Sequence, residues 1–133
     1  MLPAIFDYLC YALHTALVLF ILLGWTVRPW RSLHRVVVLV TLFYWFGLGW
    51  WYGWGYCPLT EWHWQIRKAR GIHDLPTSYL YDVLVLRMGL PLSPRAVDIL
   101  AVLGLLISTA MAFSPHFALR SGVHKEQNKP GRD

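Results

Sequence analysis

Three stretches of this chain carry no charged side chain: residues 8–27, 36–56 and 99–119. Each is about 20 residues long. At ~1.5 Å of rise per residue, that length carries a helix across a ~30 Å hydrocarbon core. In hydrocarbon the backbone must satisfy its own hydrogen bonds, and within one segment only a helix does so. The composition agrees. Hydrophobic residues make up 56% of the chain and charged residues 14%, against about 25% charged in a soluble domain. The expected fold is all-α: one transmembrane helical domain over residues 1–115, with spans near 5–27, 33–56 and 94–114. The first run reads as a permanent span rather than a signal peptide. No Lys or Arg precedes it, and no small-x-small cleavage site follows.

The boundaries carry their own chemistry. Arg28-Pro29 ends the first span with a charge and a helix breaker. Pro58 stops the second. Ser93 is the expected N-cap of the third, with Pro94 at its first position, Asp98 near its positive end and Pro115 as its stop. Between the second and third spans, two short interfacial helices are expected. One covers residues 60–70, with Thr60 as N-cap and Trp62, Ile66 and Ala69 on one face beside Arg67, Lys68 and Arg70. The other covers residues 78–88, ends at Gly89, and is too short and too charged to span. Residues 116–133 read as a polar, disordered tail.

The net charge of +5 does not point to nucleic acid, because the basic residues flank the spans, where lipid headgroups are the nearer partner. With three spans, seven Lys and Arg lie on the side of the first loop and tail, against five on the other. The positive-inside rule then places the N-terminus outside and the C-terminus inside.

Three groups of residues are candidate sites. In "FYWFGLGWWYGWGY", Phe43, Trp50 and Trp54 form an aromatic stripe, and Gly49 and Gly53 a separate small-xxx-small face for another helix. The stripe is either the wall of a lipidic ligand groove or an interfacial aromatic belt. His14 lies mid-span, where an ionisable group is a functional hypothesis by default. It would ligate haem or metal, hold a quinone or relay protons. Otherwise it is a neutral histidine bonded to a neighbouring helix, with Tyr44 nearest in depth and Ser108 a looser candidate. His34 lies roughly 15 Å away along the membrane normal, so a haem shared with His14 does not fit. Cys57, Glu61 and His63 are the third group, as metal ligands or as a thiol with a base. A boundary reading accounts for the same residues except Cys57: Pro58 stops one helix, Thr60 caps the next, Glu61 suits a first turn, and Trp62 and Trp64 anchor at headgroups. His63, His73, His116 and His124 are expected at or beyond the interfaces. A Cys10–Cys57 bridge requires matching depths.

"GYCPLTEWHWQIR" resembles the Cys-Pro-Leu-Thr signature of small bacterial membrane proteins grouped as domain of unknown function 2784. "LHTALVLFILLGW", from His14 to Gly24, is similar to that family's first helix. "RSLHRVVVLV", with His34, is similar to the start of its second, and "SYLYDVLVL" falls where the family has a short helix. The resemblance covers residues 1 to about 112. It implies the fold and a bacterial inner-membrane location, and it carries over no catalytic residue. The family pattern has a glutamate three residues after the threonine, where this chain has His63; its acid is Glu61. A role needing a carboxylate at that spot is therefore not carried over. His14, Cys57, Pro58 and Thr60 match.

The sequence contains no complete catalytic set. The leading expectation is a non-enzymatic accessory protein that packs against other membrane helices, as a homo-oligomer or in a larger complex, with membrane lipid as a second partner. The alternatives are a haem- or quinone-binding protein using His14, and a membrane-surface thiol or metal site at Cys57 and His63.

Overall fold

A computed structural model describes residues 1–114; the tail at 116–133 and the stop at Pro115 lie outside the described residues. Helix α1 covers Leu2–Leu23 and runs into two 3-10 turns, Gly24–Thr26 and Arg28–Trp30. Helix α2 (Arg31–Leu42) continues as a π-helical segment, Phe43–Leu48, and then as α3 (Gly49–Tyr52). Helix α4 is Pro58–Ala69, and α5 (Tyr79–Tyr81) continues as a second π-helical segment, Asp82–Arg87. Helix α6 is Pro94–Phe113. No strand occurs among the described residues. Three helical stretches are long and apolar enough to cross a membrane: Ala4–Thr26, Arg28–Tyr52 and Pro94–Phe113. Large apolar side chains such as Leu9, Leu13, Leu39, Phe43, Leu103 and Ile107 face outward, as a bilayer solvent allows and water does not.

Local chemistry explains most ends. The Ser93 hydroxyl accepts from the Ala96 amide at 3.2 Å, with Pro94 in the first turn, so the third span starts where its cap predicts. Ser78 does the same for α5, accepting from the Tyr81 amide at 3.2 Å. Gly89 ends that helix at φ +71°, a conformation open to glycine.

Several expected boundaries move. The second span ends at Tyr52, four residues before Tyr56, because Gly53 takes φ +108° and turns the chain out of the helix. Gly49 and Gly53 therefore share no helical face. Gly49 is buried instead under its own chain, and a Cβ there would lie 3.6–3.7 Å from Tyr44 O and Trp54 Cα. The expected stripe breaks for the same reason. The π segment alters the angular spacing after Phe43, and Trp54 lies beyond the helix, edge-on to Phe46 at 5.7 Å. Thr60 is not the cap of α4. Cys57 holds that position with extended backbone, and Pro58 opens the helix. Asp98 lies past the first turn of α6.

At the end near the first loop, the three spans meet on one carbonyl. Ile21 O accepts from His34 Nε2 at 2.8 Å and from Ser108 Oγ at 2.7 Å. Both donors are essentially unexposed. The carbonyl has two lone pairs, and a buried donor without a partner would cost about 1–3 kcal/mol. This node therefore sets the depth of α2 and α6 against α1. Arg35 Nε adds a bond to Ala112 O at 3.0 Å, at the negative end of α6.

His34 fits because residue 24 is glycine. A Cβ on Gly24 would lie 2.7 Å from His34 Cδ2. Gly24→Ala is expected to lower stability by about 1–3 kcal/mol through overpacking. Thermal unfolding in micelles checks this; an unchanged midpoint would refute the packing role of His34.

Candidate functional site

The polar residues of the other end gather around two carboxylates. Asp7 sits on α1, directly before the long charge-free run, and is 8% exposed. His63 Nε2 lies 2.6 Å from Asp7 Oδ1, and the Arg70 guanidinium pairs with Oδ2. A carboxylate facing a guanidinium accepts only, so the His63 proton on this contact belongs to Nε2. His63 is fully buried, and its Nδ1 has no hydrogen-bond partner among the described residues. Burial in hydrocarbon would leave Asp7 far too costly without this compensation.

The second carboxylate, Asp82, comes from the π segment after α5 and is 3% exposed. Tyr11 donates its hydroxyl to Asp82 Oδ2. Arg67 Nη1 and Arg87 Nε each lie 3.6 Å from that oxygen. Arg67 also donates to the Tyr11 hydroxyl at 3.2 Å, and the Arg87 guanidinium lies 4.0 Å over the Tyr11 ring, close enough for cation–π attraction. Asp7 and Tyr11 are thereby tied to α4 and to the π segment at once. Tyr79 completes the layer: its hydroxyl lies 2.6 Å from Thr15 Oγ1 and 3.0 Å from Tyr11 O. Burial pushes the Tyr79 phenol above its ordinary value, so it stays a neutral donor.

Next to this layer lies a cavity of about 920 Å³, within the ~300–1,000 Å³ range of ligand sites. Leu17, Val18, Ile21, Val37 and Val40 give it an aliphatic wall. His14, Tyr44, Cys57, Thr60, Tyr79 and Asp98 line it as well, giving it polar groups. The π segment contributes three consecutive residues, Tyr44, Trp45 and Phe46. A wider turn rotates less per residue, so neighbours diverge less than on an α-helix.

The structure separates the sequence-predicted residues into two places. His14, Cys57, Pro58, Thr60 and Trp54 line the cavity. His63 does not; it is buried against Asp7 rather than lying exposed at an interface. Glu61 is exposed, with Gln65 as its neighbour at 3.5 Å. Cys57, Glu61 and His63 are thus not gathered, and no group of three or more metal-ligating side chains occurs among the described residues. Phe43 and Trp50 face outward. Both cysteines are free. His14 bonds neither Tyr44 nor Ser108. It stacks on Tyr79, with ring centroids 3.8 Å apart and planes 2° from parallel, and its Nδ1 has no partner among the described residues.

Asp7, Tyr11, Arg67 and Arg70 are the residues that sequence reasoning missed as a set. A signal was present. Asp7, Tyr11 and His14 on α1, and His63, Arg67 and the C-cap Arg70 of α4, both follow i, i+4, i+7 spacing, which puts each trio on one side of its helix. Asp7→Asn is expected to destabilise the protein by about 3 kcal/mol, as for one partner removed from a buried pair. With Arg70→Gln added, the combined loss should fall short of the sum of the single losses. Strict additivity in micelle unfolding experiments would show that the two do not interact.

No curated protein and no solved structure matches the chain. A family described as "Protein of Unknown function (DUF2784)" matches residues 4–114. This match covers most of a 133-residue chain, and the protein therefore belongs to the DUF2784 family.

Proposed function

We propose that this protein is an integral membrane protein that binds one amphiphile between its spans, in a binding rather than a catalytic role. The observation that carries this reading is the cavity of about 920 Å³, lined mostly by aliphatic and aromatic residues with a few polar groups among them. From His14 to Ile21 on α1 the cavity runs about 10 Å along the helix axis, at ~1.5 Å per residue. That length suits an aliphatic tail held within one leaflet. The reading keeps the lipid association expected from the sequence and moves its seat. The Gly49/Gly53 face no longer supports helix docking, whereas the cavity supports a ligand. Association with further copies or other membrane helices is a separate proposal, open to the same measurement. The basic residues favour an N-terminus outside and a C-terminus inside, in a bacterial cytoplasmic membrane if the family resemblance extends to source.

Native mass spectrometry of protein released gently from its membrane tests the proposal. The expected result is one chain with one discrete amphiphile. A mass equal to haem or a quinone would instead favour the His14 alternatives, and a larger assembly would favour the accessory reading. Val40→Trp should fill part of the cavity and cut occupancy about tenfold or more, a loss of about 1.4 kcal/mol. Leu103→Trp, on an outward-facing position, should leave it unchanged. Equal occupancy in both variants would refute the cavity as the seat.

A further inference from the structure

The charge lining the cavity names the ligand class. Arg67, Arg70 and Arg87 are all engaged with Asp7 or Asp82, and no Lys or Arg lines the cavity. One carboxylate, Asp98, does. The four ion pairs among the described residues all use Asp7 or Asp82, and Asp98 is in none of them. Its place past the first turn of α6 puts it where the helix dipole has largely faded. Asp98 is exposed on the cavity side, so its charge is open to a cationic group that enters there.

The walls supply a second, independent preference. Tyr44, Trp45, Phe46, Trp54, Tyr56 and Trp62 all line the cavity. Aromatic faces attract cations, and cages of such rings suit substituted ammonium groups. His14 also lines the cavity, and its buried Nδ1 has no hydrogen-bond partner among the described residues. With no cation in the lining, a phosphate would have no charged partner there.

We infer that the bound amphiphile is a phosphate-free lipophilic ammonium ion, with its head between Asp98 and the aromatic rings and its tail against Leu17, Val37 and Val40. This rests on the proposed cavity function and specifies its ligand. The head is recognised by Coulomb attraction and ring faces, and the tail by the apolar walls. Anionic and phosphate-bearing lipids meet an uncompensated carboxylate and are disfavoured.

The test uses the full chain in nanodiscs and four decyl probes: decyltrimethylammonium, decanol, decyl sulfate and decylphosphocholine. Binding is read by calorimetric titration against empty discs. The ammonium probe should bind about tenfold or more tightly than the other three, the scale expected of ring and carboxylate contacts to a cation. Asp98→Asn should remove this preference and leave decanol binding unchanged. Asp98→Glu should retain it, which separates a charge effect from misfolding. Equal binding of all four probes, lost in Val40→Trp, would overturn the ammonium assignment and leave the cavity function standing. Tighter sulfate or phosphocholine binding would overturn the assignment as well. If no probe binds above empty discs, both the assignment and the cavity function fail.

Discussion

Asp7 is a carboxylate at the threshold of an apolar helix, and much of the molecule answers to it. A charge there must be met by partners from another element, because water is scarce and the cost of leaving it bare is several kcal/mol. His63 and Arg70 meet it. Meeting it fixes α4 against α1, in rotation as well as position, since His63 lies on α4 and Arg70 is its C-cap. Tyr11, one turn further along α1, repeats the arrangement with Arg67 and Asp82. The short segments between the second and third spans are thereby held across the end of the bundle, although they contain no apolar stretch long enough to hold themselves there.

The opposite end is closed by a different interaction, the shared carbonyl of Ile21. A carbonyl that accepts from two other helices works only if those helices come close, and Gly24 permits that approach. The spans are therefore joined through Ile21 at one end and clamped to α4 and the π segment at the other. The cavity occupies the space left between these two layers. Its lining draws on α1, α2, α6 and the segments at 54–62 and 77–80. Both π-helical segments serve this region, one placing aromatic residues in the wall and the other placing Asp82 under Tyr11. π-helical turns often accompany functional sites.

Legibility of the fold varied with the kind of signal. The spans and the Ser93 cap were readable, because charge-free length and side-chain capping act within a few residues of where they are written. The end of the second span was missed at Gly53, because a glycine inside an apolar run permits a turn without demanding one. Thr60 competed for a cap with Cys57 and lost, because Pro58 suits the first turn and starts the helix earlier. The site was half legible. His14, Cys57 and Thr60 do line the cavity. His63 pointed to a surface role, while in the fold it is buried against a residue 56 positions away.

The sequence by itself determined the class of protein: helical, with three stretches that hydrocarbon accepts and short charged segments that it does not. Those properties follow from local length, charge and hydrogen-bonding capacity. Tertiary structure decided which charges neutralise one another, and so which charge is left to face the cavity. Asp7 and Asp82 take up Arg67, Arg70 and Arg87, and Asp98 is in no ion pair among the described residues. That distinction depends on distances between elements far apart in the chain, which no local pattern encodes.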